Sequence, residues 1–196
     1  MSSAVLSELT ANQAARRSRV LDAALLLASE GGYDAVQMRD VATRAHVALG
    51  TIYRYFRSKD ELLAAALVEW AGAVERQVTA RPPLGATVAD RLVDVLRRAS
   101  GAMERDPKLT AAFVTAIASP DPAVCTWQHD VAAVLVELVS TALAEVSDRD
   151  RDGIVRVLSW VWFGALLGWV NGWTNAGTVG DELEAAARVL LRTPSP

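Results

Sequence analysis

The apolar positions of this chain recur at steps of three and four, the spacing of one buried helical face, and no stretch alternates long enough to make a strand. Val20, Leu21, Ala24, Leu25 and Ala28 lay out a first helix over residues 14–30, opened by a Thr10 and Gln13 capping box and ended by Gly31 and Gly32. Met38, Val41, Ala42 and Ala45 make a short second helix. After a break at His46 and Val47, Ile52 and Phe56 form a buried pair on a third, leaving Thr51, Tyr53, Arg54 and Tyr55 facing outward or sideways. Two short helices, the second with hydroxyls, aromatics and a guanidinium on its free face, suit insertion into a major groove.

A capping box of Ser58 and Glu61 opens a longer helix through Leu63, Leu67, Trp70, Val74 and Val78, which the Arg-Pro-Pro-Leu-Gly run at residues 81–85 closes. Thr87 with Asp90, Asp106 with Pro107 and Asp121 with Pro122 start three more, running to about Arg105, Ala118 and Val146. From about Asp148 to Trp173 the chain is apolar on every side. One stripe is Val155, Leu158, Trp162, Leu166, Trp169 and Trp173; beside it Gly164, Gly168 and Gly172 form a small-residue ridge that a second helix can approach closely. A last helix, Asp181 to Leu191, offers Leu183, Ala186, Ala187 and Leu190 as a partner face. The competing reading of Ile154 to Trp173 is a membrane span, against which stand Arg156, Asn171 and tryptophans spread through it instead of gathered at two interfaces. The fold class is all-α, about nine helices. Residues 1–57 read as a three-helix helix-turn-helix DNA-binding domain and residues 58–196 as a helical ligand-binding and dimerisation domain.

The run from Val47 to Lys59, with Gly50, Thr51, Ile52, Tyr53, Arg54, Tyr55 and Phe56 at its centre and Ser58 before Lys59, resembles the DNA-binding signature of TetR-type bacterial transcriptional regulators. The likeness spans residues 10–63. It departs where Gln37 stands for a frequent Thr, His46 for Gly and Ala48 for Ser. Val36, Gln37, Met38 and Arg39, with Val47 to Gly50 and with Ala102 and Met103 before Asp106 and Pro107, further resemble the actinobacterial regulators of steroid catabolism. The resemblance implies that Thr43, Arg44, Val47, Ala48, Leu49 and Gly50 lie at or near base edges, Ala48 and Leu49 being suited to thymine methyl groups, while Thr51, Tyr53 and Lys59 hold phosphates. Arg39 and Arg54 complete that set, and Tyr55 is expected to be partly buried. It also implies a dimer built by the last two long helices as a four-helix bundle, with Gly164, Gly168, Gly172, Leu183, Ala187 and Leu190 in the seam. The second domain would hold a small-molecule effector, steroid-derived in the narrower group and carried as a coenzyme A thioester. Met103, Phe113, Trp127, Trp162, Leu166 and Trp169 are the candidates for its wall; by spacing alone they are core.

Charge changes the picture less than its total suggests. The 196 residues carry a net −3, which argues against nucleic acid. Residues 16–59, however, hold eight basic side chains, among them Arg16, Arg17 and Arg19, against four acids. That segment is therefore +4 and the remainder −7, a basic end on an acidic body. The Arg16, Arg17 and Arg19 cluster reads equally as phosphate contact or as a solvated helix start.

Chemistry is sparse. One cysteine, Cys125, excludes an internal disulfide, and Met1 to Thr10 carries Glu8 and no basic n-region, so a secretory signal is not expected and a reducing cytoplasm is. Cys125 and His129 stand apart from His46, with no metal ligand set and no nucleophile with its base, and read as a packed thiol and a surface imidazole. There is no Gly-rich phosphate loop. The sequence thus reads as a homodimeric transcriptional repressor, not an enzyme, with double-stranded operator DNA and a small apolar effector as partners, no cofactor, no metal and no membrane. Its rivals are a helix-turn-helix protein acting through protein partners without ligand, and a helical enzyme.

Overall fold

In the computed structural model, which describes residues 10–192, nine helices and no strand are found among the described residues. They are α1 (Ala11–Ala35), α2 (Met38–Arg44), α3 (Leu49–Tyr53), α4 (Lys59–Thr79), α5 (Val88–Glu104), α6 (Pro107–Ile117), α7 (Pro122–Ser140), α8 (Asp148–Val170) and α9 (Thr178–Leu190). Their starts follow the polar punctuation. Thr10 Oγ1 accepts from the Gln13 N–H at 3.3 Å while the Gln13 side chain accepts from the Thr10 N–H at 2.8 Å. Thr87 and Asp90 repeat this box, Ser58 Oγ accepts from the Glu61 N–H at 3.1 Å, and Asp106 accepts from the Leu109 N–H at 3.0 Å. Each cap satisfies a first-turn N–H that has no partner within its helix, a contribution of about 1 kcal/mol.

Helix ends depart from the sequence reading where backbone conformation decides. α1 kinks at Gly32 (φ 73) and resumes for a turn to Ala35 instead of stopping at the glycine pair. α7 gives way at Ser140 to turns over residues 141–145. α8 stops at Val170, because Gly172 (φ 74) takes the left-handed conformation that ends a helix after the Asn171 cap. Trp173 and Gly172 consequently lie beyond α8, outside the stripe and the ridge expected for them.

The chain packs as two compact units. One takes the residues up to Ala71 together with Asp106–Val131, the other Gly72–Arg105 and the residues from Ala132 onward. In the first, α6 lies along α1, and Val20, Ala24, Ile52, Phe56, Leu63 and Phe113 are buried. The Phe113 ring meets Trp70 at 5.6 Å between centroids. Compactness thus groups α6 and the start of α7 with the helix-turn-helix, where the linear reading places a cut after residue 57.

In the second unit α9 packs on both α8 and α5. Arg97 of α5 donates to Asp181 at 2.8 Å and to Glu184 at 2.6 Å, and Arg188 of α9 to Glu184 at 2.8 Å and to Asp90 at 3.1 Å. Leu183 and Ala187 are fully buried inside this protomer. Gly168 is buried too, and a side-chain carbon there would come 3.4 Å from Thr174 Oγ1. Of the residues expected in a dimer seam, Leu183 and Ala187 are thus buried on the inward face of α9, which α5 and α8 cover, and Gly168 is buried beside Thr174. Leu190 is half-buried, and Gly164 stays exposed with nothing within 4 Å of an added carbon. α8 is long and apolar enough to cross a membrane by length and composition, yet only 28 % of its apolar window is buried. Its outer side shows Val157, Trp160 and Gly164 to solvent, and α9 shows Ala185 and Val189.

Candidate nucleic-acid interface

The helix-turn-helix is held from beneath by Val41, Ala42, Ala45, Ile52 and Phe56, none more than 6 % exposed. The turn is tied by the Val47 N–H to the Ala42 carbonyl at 3.0 Å and the His46 N–H to the Thr43 carbonyl at 3.2 Å. His46 itself has φ 53, which among the described residues makes it the one non-glycine in the left-handed region. A side chain there costs roughly 1–2 kcal/mol relative to glycine, which gives the physical meaning of a position where the resembling family often has Gly.

On this frame Arg39, Thr43, Arg44, Ala48, Gly50, Tyr53 and Arg54 are exposed, and Val47, Leu49, Thr51 and Lys59 are half-buried. Tyr53 is 52 % exposed. Tyr55 is half-buried with its ring 6.3 Å from Phe56, so of the two tyrosines Tyr53 is the exposed one and Tyr55 the partly buried one. Two of the basic side chains are engaged within the chain. Arg44 donates to Glu30 at 2.8 Å, and that hydrogen bond holds the Glu30 carboxyl below its ordinary range and raises the guanidinium. Lys59 Nζ lies 3.6 Å from the centroid of the Tyr33 ring and donates to the Tyr33 carbonyl at 3.2 Å.

Tyr33 belongs to a polar joint at the start of α4. Its hydroxyl donates to Asp60, whose other oxygen accepts from Ser119 Oγ at 2.6 Å, and Ser58 Oγ donates to Asp121 at 2.8 Å. Burial first, then the bond to Asp60 and the charges of Asp60 and Asp34, push the Tyr33 hydroxyl up from 10.0 to about 12. The fold therefore favours the neutral phenol: its stabilisation is complete below pH 10.0 and is lost as pH rises through about 12. Between those values the thermal midpoint should fall more steeply for the wild type than for Tyr33→Phe. Parallel curves would contradict this joint.

Arg17 is where the sequence reading misses. It stands in a basic cluster, yet its side chain is 7 % exposed, paired with Glu69 at 2.9 Å and lying 5.7 Å from the Phe56 ring and 5.9 Å from the Trp127 ring. The signal was available: Arg17 precedes Val20, Leu21 and Ala24 by three, four and seven residues and so shares their buried face. Arg16 and Arg19 do face outward.

The residues expected to wall an effector fall in both units. Phe113 and Trp127 are buried in the first; in the second Leu166 is buried and Met103, Trp162 and Trp169 are half-buried. The indole nitrogens of Trp127 and Trp162 are shut off from water without a hydrogen-bond partner in the protein. Cys125 is exposed, not packed, with its carbonyl 3.0 Å from His129 Nδ1.

Residues 20–66 match the family described as bacterial regulatory proteins, tetR family, and residues 85–190 match a tetracyclin repressor-like C-terminal domain. The chain is 38 % identical over 180 residues to the HTH-type transcriptional repressor KstR of Rhodococcus jostii (strain RHA1), covering 91 % of this chain and 84 % of that one. It is 38 % identical over 194 residues to KstR of Mycolicibacterium smegmatis (strain ATCC 700084 / mc(2)155), covering 97 % and 95 %. Among solved structures it is similar to a TetR transcriptional regulator from Rhodococcus sp. RHA1, at 29 % identity and TM-score 0.82 over 94 % of this chain and 100 % of that one. It shares its fold with Thermus thermophilus FadR in complex with lauroyl-CoA, at 22 % identity and TM-score 0.72 over 92 % and 98 %.

Proposed function

Because the chain belongs to the TetR family of bacterial regulatory proteins, we propose that it is a homodimeric repressor that holds operator DNA through α3 and lets go when a large apolar effector occupies its body. The reading rests most directly on the outer face of the helix-turn-helix, where Ala48, Gly50, Tyr53 and Arg54 are exposed on an apolar footing. In this division of labour residues 1–57 read DNA, and residues 58–196 bind the effector and dimerise. Ala48 and Leu49 meet thymine methyl groups, Thr43, Arg44, Val47 and Gly50 lie along base edges, and Arg39, Thr51, Tyr53 and Arg54 position the backbone. An ammonium has three donors, so Lys59 can hold a phosphate while keeping its bond to the Tyr33 carbonyl. The copies meet through the exposed apolar faces of α8 and α9.

Repression is the activity named for the KstR relatives. A steroid-derived or acyl coenzyme A effector fits the likeness of Met38, Arg39, Ala102 and Met103 to steroid-catabolism regulators and the aromatic content of the body. A useful switch needs a coupling of about 1–3 kcal/mol, roughly 5- to 150-fold in operator affinity, and operator must weaken effector binding by the same factor. Titrating a steroid coenzyme A thioester into the complex with DNA from upstream of the chain's own coding sequence should release the DNA by such a factor. An unchanged affinity at saturating thioester would refute the effector half of the proposal.

A further inference from the structure

We infer that the effector carries a hydroxyl group and that Trp127 and Asp130 of α7 are the pair that reads it, an inference that rests on the effector-released repressor proposed above. Trp127 is 2 % exposed, and its Nε1 has no hydrogen-bond partner in the protein; nor has Asp130 Oδ2, a buried atom three residues further along the same helix. Buried polar atoms nearly always find partners in the protein or in ordered water, so two such atoms three residues apart on one helix call for a partner from outside the chain. Residues three apart on a helix are neighbours on one face, with about 5–6 Å between their Cβ atoms.

The two orphans are also complementary. An indole N–H only donates, and a carboxylate oxygen only accepts. A single atom that accepts from Trp127 and donates to Asp130 satisfies both, which is what a hydroxyl does. A ketone oxygen would answer Trp127 and leave Asp130 facing another lone pair. An ammonium would answer Asp130 and leave the indole N–H unmet, and a bare hydrocarbon would answer neither. The Arg17 guanidinium lies 5.9 Å from the Trp127 ring, so Trp127→Phe can keep an aromatic ring near Arg17 while removing the N–H together with part of the indole's volume.

The test is calorimetric titration of the full chain with cholanoyl-CoA and with its monohydroxylated derivatives, a set that differs only in the presence and place of one hydroxyl. At least one hydroxylated thioester should bind roughly tenfold or more tightly than the parent, and Trp127→Phe and Asp130→Leu should each bring that preference to within about twofold. Affinity for operator DNA should stay unchanged in both variants. Equal binding of every thioester by the wild type overturns this inference and leaves the effector reading standing, as does a preference that survives both substitutions. Binding of none of them overturns the steroid thioester reading of the effector and this inference with it. Where one variant fails to fold, the other still tests the pair, and equal binding by the wild type overturns the inference without either.

Discussion

Trp160→Arg should turn the protein into a folded monomer, raising the dimer dissociation constant by at least about thirtyfold, the factor that a hot-spot loss of about 2 kcal/mol implies. Trp160 is 72 % exposed in the protomer, on the side of α8 that also carries Val157 and Gly164. Val189 on α9 is 65 % exposed. Large apolar side chains exposed on two packed helices are a poor surface to leave in water, and a tryptophan buries some 150–250 Å² when covered. Arginine there puts a charge into the seam without touching the protomer core, because the side chain points outward. Gly164→Leu should act in the same direction, since an added carbon at Gly164 meets nothing within 4 Å in the protomer. Mass by light scattering with circular dichroism separates the outcomes: a dimer that survives Trp160→Arg excludes this face, and lost helicity would mean that the residue stabilises the fold.

Phe113→Ala should destabilise the fold by about 3–5 kcal/mol. Phe113 is 2 % exposed, lies in α6 between the caps at Asp106 and Ala118, and packs its ring on Trp70. Removing it deletes the ring's transfer energy and its aromatic contact together and leaves a hole that helices pinned at both ends cannot close. For a chain of this length such a loss lowers the thermal midpoint by roughly 10 °C or more. A variant with the wild-type midpoint that loses only effector binding would instead place Phe113 on a pocket wall.

The helices were legible because periodicity and caps are local: Thr10 with Gln13, Ser58 with Glu61 and Thr87 with Asp90 announce their starts within four residues. The outward face of α3 was legible for the same reason, as Ile52 is buried on one side and Tyr53 exposed on the other. What periodicity cannot give is which neighbour covers an apolar face. Leu183 and Ala187 carry the pattern of a buried stripe whether the cover is α5 of the same chain or a second copy, and the inward face went to the protomer. α8 shows the converse: it is apolar on all sides, yet Trp160 remains in solvent because nothing in its own chain lies over it. Charge alone hides Arg17, whose register with Val20, Leu21 and Ala24 buries it, and sequence hides the joint of Tyr33, Asp60 and Ser119, whose members lie far apart along the chain.

Whether α3 reads DNA is decided by comparing the affinity for a duplex from upstream of the chain's own coding sequence with that for a scrambled duplex. Fluorescence anisotropy at physiological salt, for the wild type and for Ala48→Glu, is sufficient. Ala48 is exposed at the mouth of α3, so a carboxylate there spares the core and meets the groove with the wrong charge. The wild type should prefer its own site by about a thousandfold or more, and Ala48→Glu should lose that preference while unfolding as the wild type does. Equal affinity of the wild type for both duplexes, or wild-type discrimination by Ala48→Glu, would contradict the assignment of α3 as the reading element.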